Sequence, residues 1–322
     1  MNVSYILRLL CLSLASFCLI HLAAGLLVSL VSRVAVRFSE RITARAAARF
    51  LLILRLFPSV VALILVAGLC VPSYLWLEPA GATEDVGWWC LVAAVAALAV
   101  WGISIGRAAK AVLGSFRYIR RCQEVGREAR GAIWVVESSA PVLGLAGIIH
   151  PRLVISRGLV TALSSDQLAA ALRHERAHGV SRDNLKRLLI LLAPDVLPFL
   201  RRFTTLERGW AKFTEWSADD RAVAGNSRRS LSLAAALVRV ARMSPVPQSS
   251  VLVASLLADG RDLSARVDRL LGLGDRPRPK GWQRMPLLAA GATVMLALVL
   301  MAVALEPATL HSVHQLLEHL VR

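Results

Sequence analysis

The stretch Arg173-His174-Glu175-Arg176-Ala177-His178 sets two imidazoles four positions apart, with a carboxylate directly after the first. On an α-helix, positions i and i+4 share a face, so both rings can reach one ion while Glu175 stands beside them as a base. The stretch therefore predicts a helix and, on it, part of a hydrolytic metal site. Histidines and a glutamate also occur on solvated helix faces, so the reading turns on whether the chain supplies a third ligand.

A second segment meets that requirement. Within a helix expected over 212–224, Glu215-Trp216-Ser217-Ala218-Asp219 places two carboxylates four apart on one face. Glu215 is the expected third ligand. Asp219 is expected to accept a hydrogen bond from a ligand imidazole, with His174 the best placed, and so to fix its tautomer. Ala218 is small enough for the two helices to approach closely. Asp183, five residues after His178, either supports the site or pairs with Arg182 or Arg187, and the sequence leaves both open. Three protein ligands with a fourth position for water form the pattern of catalytic Zn²⁺. His174, His178 and Glu215 are thus the expected metal ligands. Glu175 is the expected general base, taking a proton from water and passing it to the leaving amine of a peptide bond. An oxyanion donor cannot be picked; His150, before Pro151 at a strand entry, reads as structural.

Around the motif the signals are local. Ser164 begins a capping box with Gln167, and the helix runs through Leu168 and Leu172 into the histidines. Two short strands are expected at 132–137 and 152–156, joined through Pro141, Gly144, Gly147 and Pro151. The second, if it forms an edge by the cleft, would align an extended substrate by strand addition. Amphipathic helices are expected at 230–243 and 263–273, with Gly225-Asn226 as the stop before the first.

The rest of the chain supplies a location. Of 322 residues 56% are hydrophobic, and the mean hydropathy of +0.59 exceeds that of a soluble globular protein. The net charge is +17, and the arginines are scattered among apolar segments instead of clustering with aromatics, which disfavours nucleic-acid binding. Five cysteines, Cys11, Cys18, Cys70, Cys90 and Cys122, show no C-x-x-C spacing and read as small buried hydrophobes. Apolar runs at 9–31, 51–76, 88–105 and 285–305 predict four spans. Arg33, Arg37, Arg41, Arg45 and Arg49 follow the first, and Arg107, Lys110, Arg117, Arg120 and Arg121 follow the third; Glu78, Glu84 and Asp85 lie between the second and third. By the positive-inside rule both termini are outside and residues 106–281 form a cytoplasmic domain, with 1–105 and 282–305 in the membrane and 306–322 an outer tail. Arg55 is expected to snorkel to the headgroups. Residues 188–200, too short to span, are expected to hug the membrane. His311, His314 and His319 read as the polar face of an amphipathic tail.

The runs Ala140-Pro141-Val142 and Pro151 to Ser156, then Leu168 to His178 with Arg182-Asp183, then Glu215 to Asp219, resemble the M56 membrane metallopeptidases, the group that contains the BlaR/MecR β-lactam sensor-transducers. They are similar, more distantly, to the M48 membrane zinc proteases. The resemblance covers about residues 1–305, with specific motifs only in the cytoplasmic part. It implies a mostly α membrane protein with a zincin-like (gluzincin) α+β domain between helices 3 and 4, zinc on His174, His178 and Glu215, and Glu175 as catalytic base. It also implies a bacterial-type inner-membrane location, signal transduction, and a protein substrate that is a transcriptional repressor or the chain itself. Membrane lipids are the other expected partner, and a separate sensor protein is left open. The sequence departs from the family in having only a short tail after Leu305 in place of a penicillin-binding sensor, in Ala218 where many members have Cys, and in lacking the usual aromatics before Pro198. β-Lactam sensing by this chain alone is therefore not expected. Two other readings stand beside the endopeptidase: a signal-transducing scaffold with structural zinc, and an M48-like protein-processing protease. A scaffold needs the ligands but not Glu175.

Overall fold

The computed structural model describes residues 3–78, 86–129, 133–138, 140–195, 202–243, 254–255, 263–272 and 306–321. Three apolar rods form the N-terminal half. Helix α1 runs Val3–Ser39; the second rod joins α2 (Ala44–Leu65) through a π-helical turn at Val66–Cys70 to α3 (Val71–Leu77); α4 runs Trp88–Val125. Within them Tyr5–Ser39, Ala44–Leu77 and Trp88–Gln123 are long and apolar enough to cross a membrane. All three outrun the apolar stretches that announce them, because arginine and lysine are good helix formers and the helix need not stop where hydrophobicity does. The basic segment after residue 31 is consequently mostly helix, turning only around residues 40–43, where the Thr43 hydroxyl accepts from the Ala46 amide. The fourth expected span, 285–305, lies outside the described residues.

A five-stranded mixed sheet follows: β1 (Gly126–Ala129), β2 (Ile133–Val136), β3 (Leu143–Ala146), β4 (Arg152–Ser156) and β5 (Ala254–Ser255), in the order β1-β2-β4-β3-β5. Strands β2 and β4 are parallel, and the other pairs are antiparallel. The condition set for strand addition, that residues 152–156 form an edge, is not met. β4 lies between β2 and β3 with Val154 fully buried, so its backbone has no free side for a substrate strand. The reason is β3, which the sequence reading treats as a link. It is only four residues, Leu-Gly-Leu-Ala, too short and small to signal a strand, yet it folds back on β4 through Gly147. That glycine has φ +107, and a Cβ there would stand 3.0 Å from the His150 carbonyl oxygen.

Helices α5 (Arg157–Ala162), α6 (Ser165–Ser181), α7 (Asp183–Leu192), α8 (Arg202–Val223), α9 (Ser227–Met243) and α10 (Leu263–Leu271) complete this part. One core packs the sheet against α6, α9 and α10 around Leu145, Leu153, Ile155, Leu233, Leu237 and Leu270. A second joins α8 to the spanning-length helices: Phe203, Leu206, Trp210 and Phe213 pack on Val28, Ala35, Ala47 and Leu51. Each of the larger ones, Phe203, Leu206, Phe213, Val28 and Leu51, contributes about 1.5–3 kcal/mol when fully buried. The approach is close, since a Cβ on Gly209 would meet Leu51 at 3.1 Å and Val36 at 3.3 Å.

This docking corrects the reading of Arg55. It does not snorkel; α8 covers it, its side chain is 2% exposed, and its Nε donates to Glu207 Oε1 at 2.8 Å while the guanidinium sits over the Phe203 ring. α7 also lies against the rods, with Ile190 in the second core and Arg107 donating to the Leu191 carbonyl. Residues 196–200 of the segment expected to hug the membrane lie outside the described residues. A last helix, α11 (Pro307–Val321), meets α3 where the Ser73 hydroxyl donates to the Leu310 carbonyl.

Candidate metal centre

The site is built where α6 meets α8. The capping box of α6 is present in both directions, Ser164 with Gln167, and fixes the start of the helix. From there the apolar face, Ala170, Ala171 and Ala177, turns His174, Glu175 and His178 inward; His174 and Glu175 are fully buried and His178 nearly so. The helix stops at Arg182, which is left-handed at φ 54, a conformation that costs an L-residue roughly 1–2 kcal/mol. That reversal starts α7 at once and throws Asp183 back onto the His178 ring, with Nδ1 and Oδ2 2.8 Å apart. Asn184 pins the kink to the sheet by donating to the carbonyls of Leu145 and Gly147. Asp183 thus supports His178 and pairs with Lys186 at 2.7 Å; neither Arg182 nor Arg187 is its partner.

The second imidazole is held in the same manner. His174 Nδ1 lies 2.9 Å from Asp219 Oδ1. A carboxylate only accepts, so in both pairs Nδ1 carries the hydrogen and the Nε2 atoms are left facing each other, 3.1 Å apart. Glu215 closes the third side, with Oε2 3.4 Å from His174 Nε2 and Oε1 3.6 Å from His178 Nε2. One donor atom from each of His174, His178 and Glu215 lies within 4.8 Å of the others. Two nitrogens bound to a tetrahedral zinc at about 2.0–2.1 Å would stand about 3.3 Å apart, so the donor set fits that ion. Glu175 lies alongside, with both carboxylate oxygens buried and without a hydrogen-bond partner among the described residues.

One residue escaped sequence reasoning. Arg266 of α10 is 4% exposed, and its Nε and one terminal nitrogen grip Asp219 at 2.9 and 2.8 Å. Its other terminal nitrogen is 3.2 Å from Glu215 Oε2. The available signal was an arginine on the same helical stripe as Leu263, Val267 and Leu270. His150, read as structural, is exposed and plays no part in the cluster.

The electrostatics are those of a cation site. Burial works against every charge here, yet Arg266 and the His174 hydrogen bond hold Asp219 down at about 2, and His178 and Arg266 hold Glu215 well below the usual carboxylate range. Burial would lower both imidazoles. For His174 it is outweighed by Asp219 and Glu215; for His178, by Glu215 and Asp183, which hold it up at about 10. Glu175 goes the other way, pushed up to about 7 by burial, with the two imidazoles pulling it back only in part. Around the Nε2 atoms, among the described residues, three carboxylates, Glu175, Glu215 and Asp219, face the guanidinium of Arg266, while Asp183 on the far side pairs with Lys186. With neutral imidazoles the buried group is two charges negative, and a divalent ion balances it.

Spanning-length apolar helices, a small mixed sheet and a His-His-Glu cluster beside a buried carboxylate are together the features of a membrane metallopeptidase. Residues 123–247 match the model of Peptidase family M48, a family of zinc metalloproteases, which supports a metallopeptidase. The matched segment contains His174, Glu175, His178, Glu215 and Asp219 and ends before Arg266. No curated protein matches the chain.

Proposed function

We propose that the chain is an integral-membrane zinc endopeptidase. The observation that carries the reading is the convergence of His174, His178 and Glu215 beside a buried Glu175 carboxylate without a hydrogen-bond partner. Zinc held by those three residues supplies positive charge that acidifies water and polarises a peptide carbonyl. Asp219 and Asp183 hold the two rings in the tautomer that offers Nε2 to the ion. Arg266 holds Asp219 and Glu215 in place. Glu175, buried beside the three ligands, takes the proton from water and returns it to the leaving amine. A structural zinc site has no use for such a base, so Glu175 argues against the scaffold.

The protease part, residues 106–281, is cytoplasmic in this reading, in a multi-pass protein of a bacterial-type inner membrane with both termini outside. The arginine-rich ends of α1, α2 and α4 support that orientation. The substrate is the chain itself or a cytoplasmic or juxtamembrane protein, such as a transcriptional repressor, and the role is transmembrane signalling of the M56 kind. The packing of α8, which carries Glu215, on α1 and α2 supports this by linking the membrane helices to the metal ligands. The match to Peptidase family M48 favours a second reading, a protein-processing protease of that family.

The test uses the full chain purified in detergent, with casein and the chain itself as substrates. About one zinc per chain is expected. Glu175→Gln should retain the metal and lose cleavage of both; cleavage that persists at the wild-type rate in Glu175→Gln overturns the reading.

A further inference from the structure

Behind the metal cluster, where α2 begins, lies a cavity of about 170 Å³. Arg45 and Arg49 of α2, Lys186 of α7 and Arg221 of α8 line it, against the single carboxylate of Asp183. That carboxylate is already committed, to His178 at 2.8 Å and to Lys186 at 2.7 Å. Among the described residues no carboxylate lies in ion-pair distance of Arg45, Arg49 or Arg221, and Arg221 reaches only the Ala177 carbonyl. Burial depresses the Arg221 pKa, and the Arg45 and Arg49 guanidiniums add to this while Asp183 opposes it.

A second observation points to a ligand. Thr214 also lines the cavity; its residue is 4% exposed, and its hydroxyl is buried without a hydrogen-bond partner among the described residues. Three guanidiniums and an ammonium around one small cavity, with an unpartnered hydroxyl on a residue of its wall, are a donor set for a tetrahedral oxyanion. The volume is small beside the roughly 300–1,000 Å³ of pockets for drug-sized ligands, so a headgroup fits and a nucleotide does not. The position selects the source. Arg45 and Arg49 stand in the first two turns of the rod Ala44–Leu77, next to the end of Tyr5–Ser39, and so at the end of two spanning-length helices where lipid phosphates lie, whichever side of the membrane that is.

We propose that this cavity binds a phosphate group, supplied by the headgroup of an anionic lipid. The proposal is independent of peptidase activity, since it invokes neither Glu175 nor the metal. It is tested with the full chain in detergent by native mass spectrometry, adding phosphatidylglycerol or phosphatidylcholine, with inorganic phosphate in a parallel thermal-shift titration. One tightly retained phosphatidylglycerol and no retained phosphatidylcholine are expected. Arg45 and Arg49 are exposed, so the Arg45→Gln/Arg49→Gln double variant should fold, and its phosphatidylglycerol binding should be weaker by roughly tenfold or more. Thr214→Val, which keeps the side-chain shape, should weaken it as well. Stabilisation by inorganic phosphate that the same variants lose, without lipid retention, supports the anion site with free phosphate as its source. Equal lipid retention by wild type and both variants, or no response to either ligand, overturns it.

Discussion

Arg266 grips Asp219 with two nitrogens, at 2.9 and 2.8 Å, although the two lie 47 positions apart and on different helices. Asp219 in turn holds the His174 ring, so the orientation of a proposed metal ligand depends on a helix that contributes no residue to the His-His-Glu cluster. Removing Arg266 leaves the buried Asp219 and Glu215 with only the two imidazoles to offset their charge, at a cost of about 3–5 kcal/mol. Arg266→Ala should therefore lower the thermal midpoint of the metal-free chain, and Arg266→Lys should recover only part of the loss, because lysine lacks the fork. Zinc should stabilise Arg266→Ala more than wild type, since a dication takes over the missing charge. An equal zinc-induced shift in both would contradict this role.

Asp183 and Asp219 each fix a ring through Nδ1. Asp183→Asn and Asp219→Asn are expected to weaken zinc binding by roughly 10–100-fold, measured by competition with a chelating dye. His174→Ala should lose the metal outright. Undiminished affinity in both Asn variants would show that the rings need no such support.

The pH dependence of metal binding follows from the raised imidazoles. His178 is held at about 10 and His174 above its ordinary value, so near neutrality the metal-free site carries protons that zinc must displace. Affinity should rise with pH, and binding should release protons, about tenfold in affinity per pH unit for each proton displaced. Calorimetry in buffers of different ionisation enthalpy measures the release directly, and a value of zero would contradict the protonated state.

The Arg55–Glu207 pair is unequally buried, with side-chain exposures of 2% and 37%. Glu207→Ala strands a buried guanidinium and should cost about 3–5 kcal/mol. Arg55→Met fills the same space without charge and leaves a half-exposed carboxylate that water can solvate, so it should be near neutral. Unfolding in denaturant, in detergent, ranks the two; the reverse order would mean that Arg55 is hydrated.

At the contact of α8 with α1 and α2, Gly209 admits no larger side chain without displacing Leu51 and Val36. Gly209→Leu should push α8 off the hairpin, lowering stability by about 1–3 kcal/mol. Because α8 also carries Glu215, the same variant should weaken zinc binding. Both are read by thermal unfolding with and without the metal, and an unchanged zinc shift would separate the docking from the site.

Elements with strong local signals were legible from the chain alone. The four-residue spacing of His174 and His178 and of Glu215 and Asp219, the capping box at Ser164 and the long apolar runs each encode a period or a cap within one helix, and local hydrogen bonding suffices to realise them. β3 was not legible, since four small residues carry no period and become a strand only by pairing with β4 and β5. For the same reason the sequence left open whether β4 forms an edge, and pairing with β2 and β3 places it inside the sheet. Arg55 reads as a snorkelling side chain until α8 covers it, and Arg266 reads as one arginine among many until α10 is packed against α6 and α8.

The sequence by itself determined the chemistry on offer: two imidazoles, a base beside them, a carboxylate ligand and its neighbour, on helices whose faces were fixed by spacing. Only the tertiary structure decided which of Asp183's possible partners it takes, because the left-handed turn at Arg182 aims it at His178. It alone decided that Arg266 joins the cluster and that α8, which carries Glu215, packs on the spanning-length helices α1 and α2. Spacing along one helix is set by backbone geometry, whereas the pairing of buried charges across helices is set by which partners can meet once water is excluded.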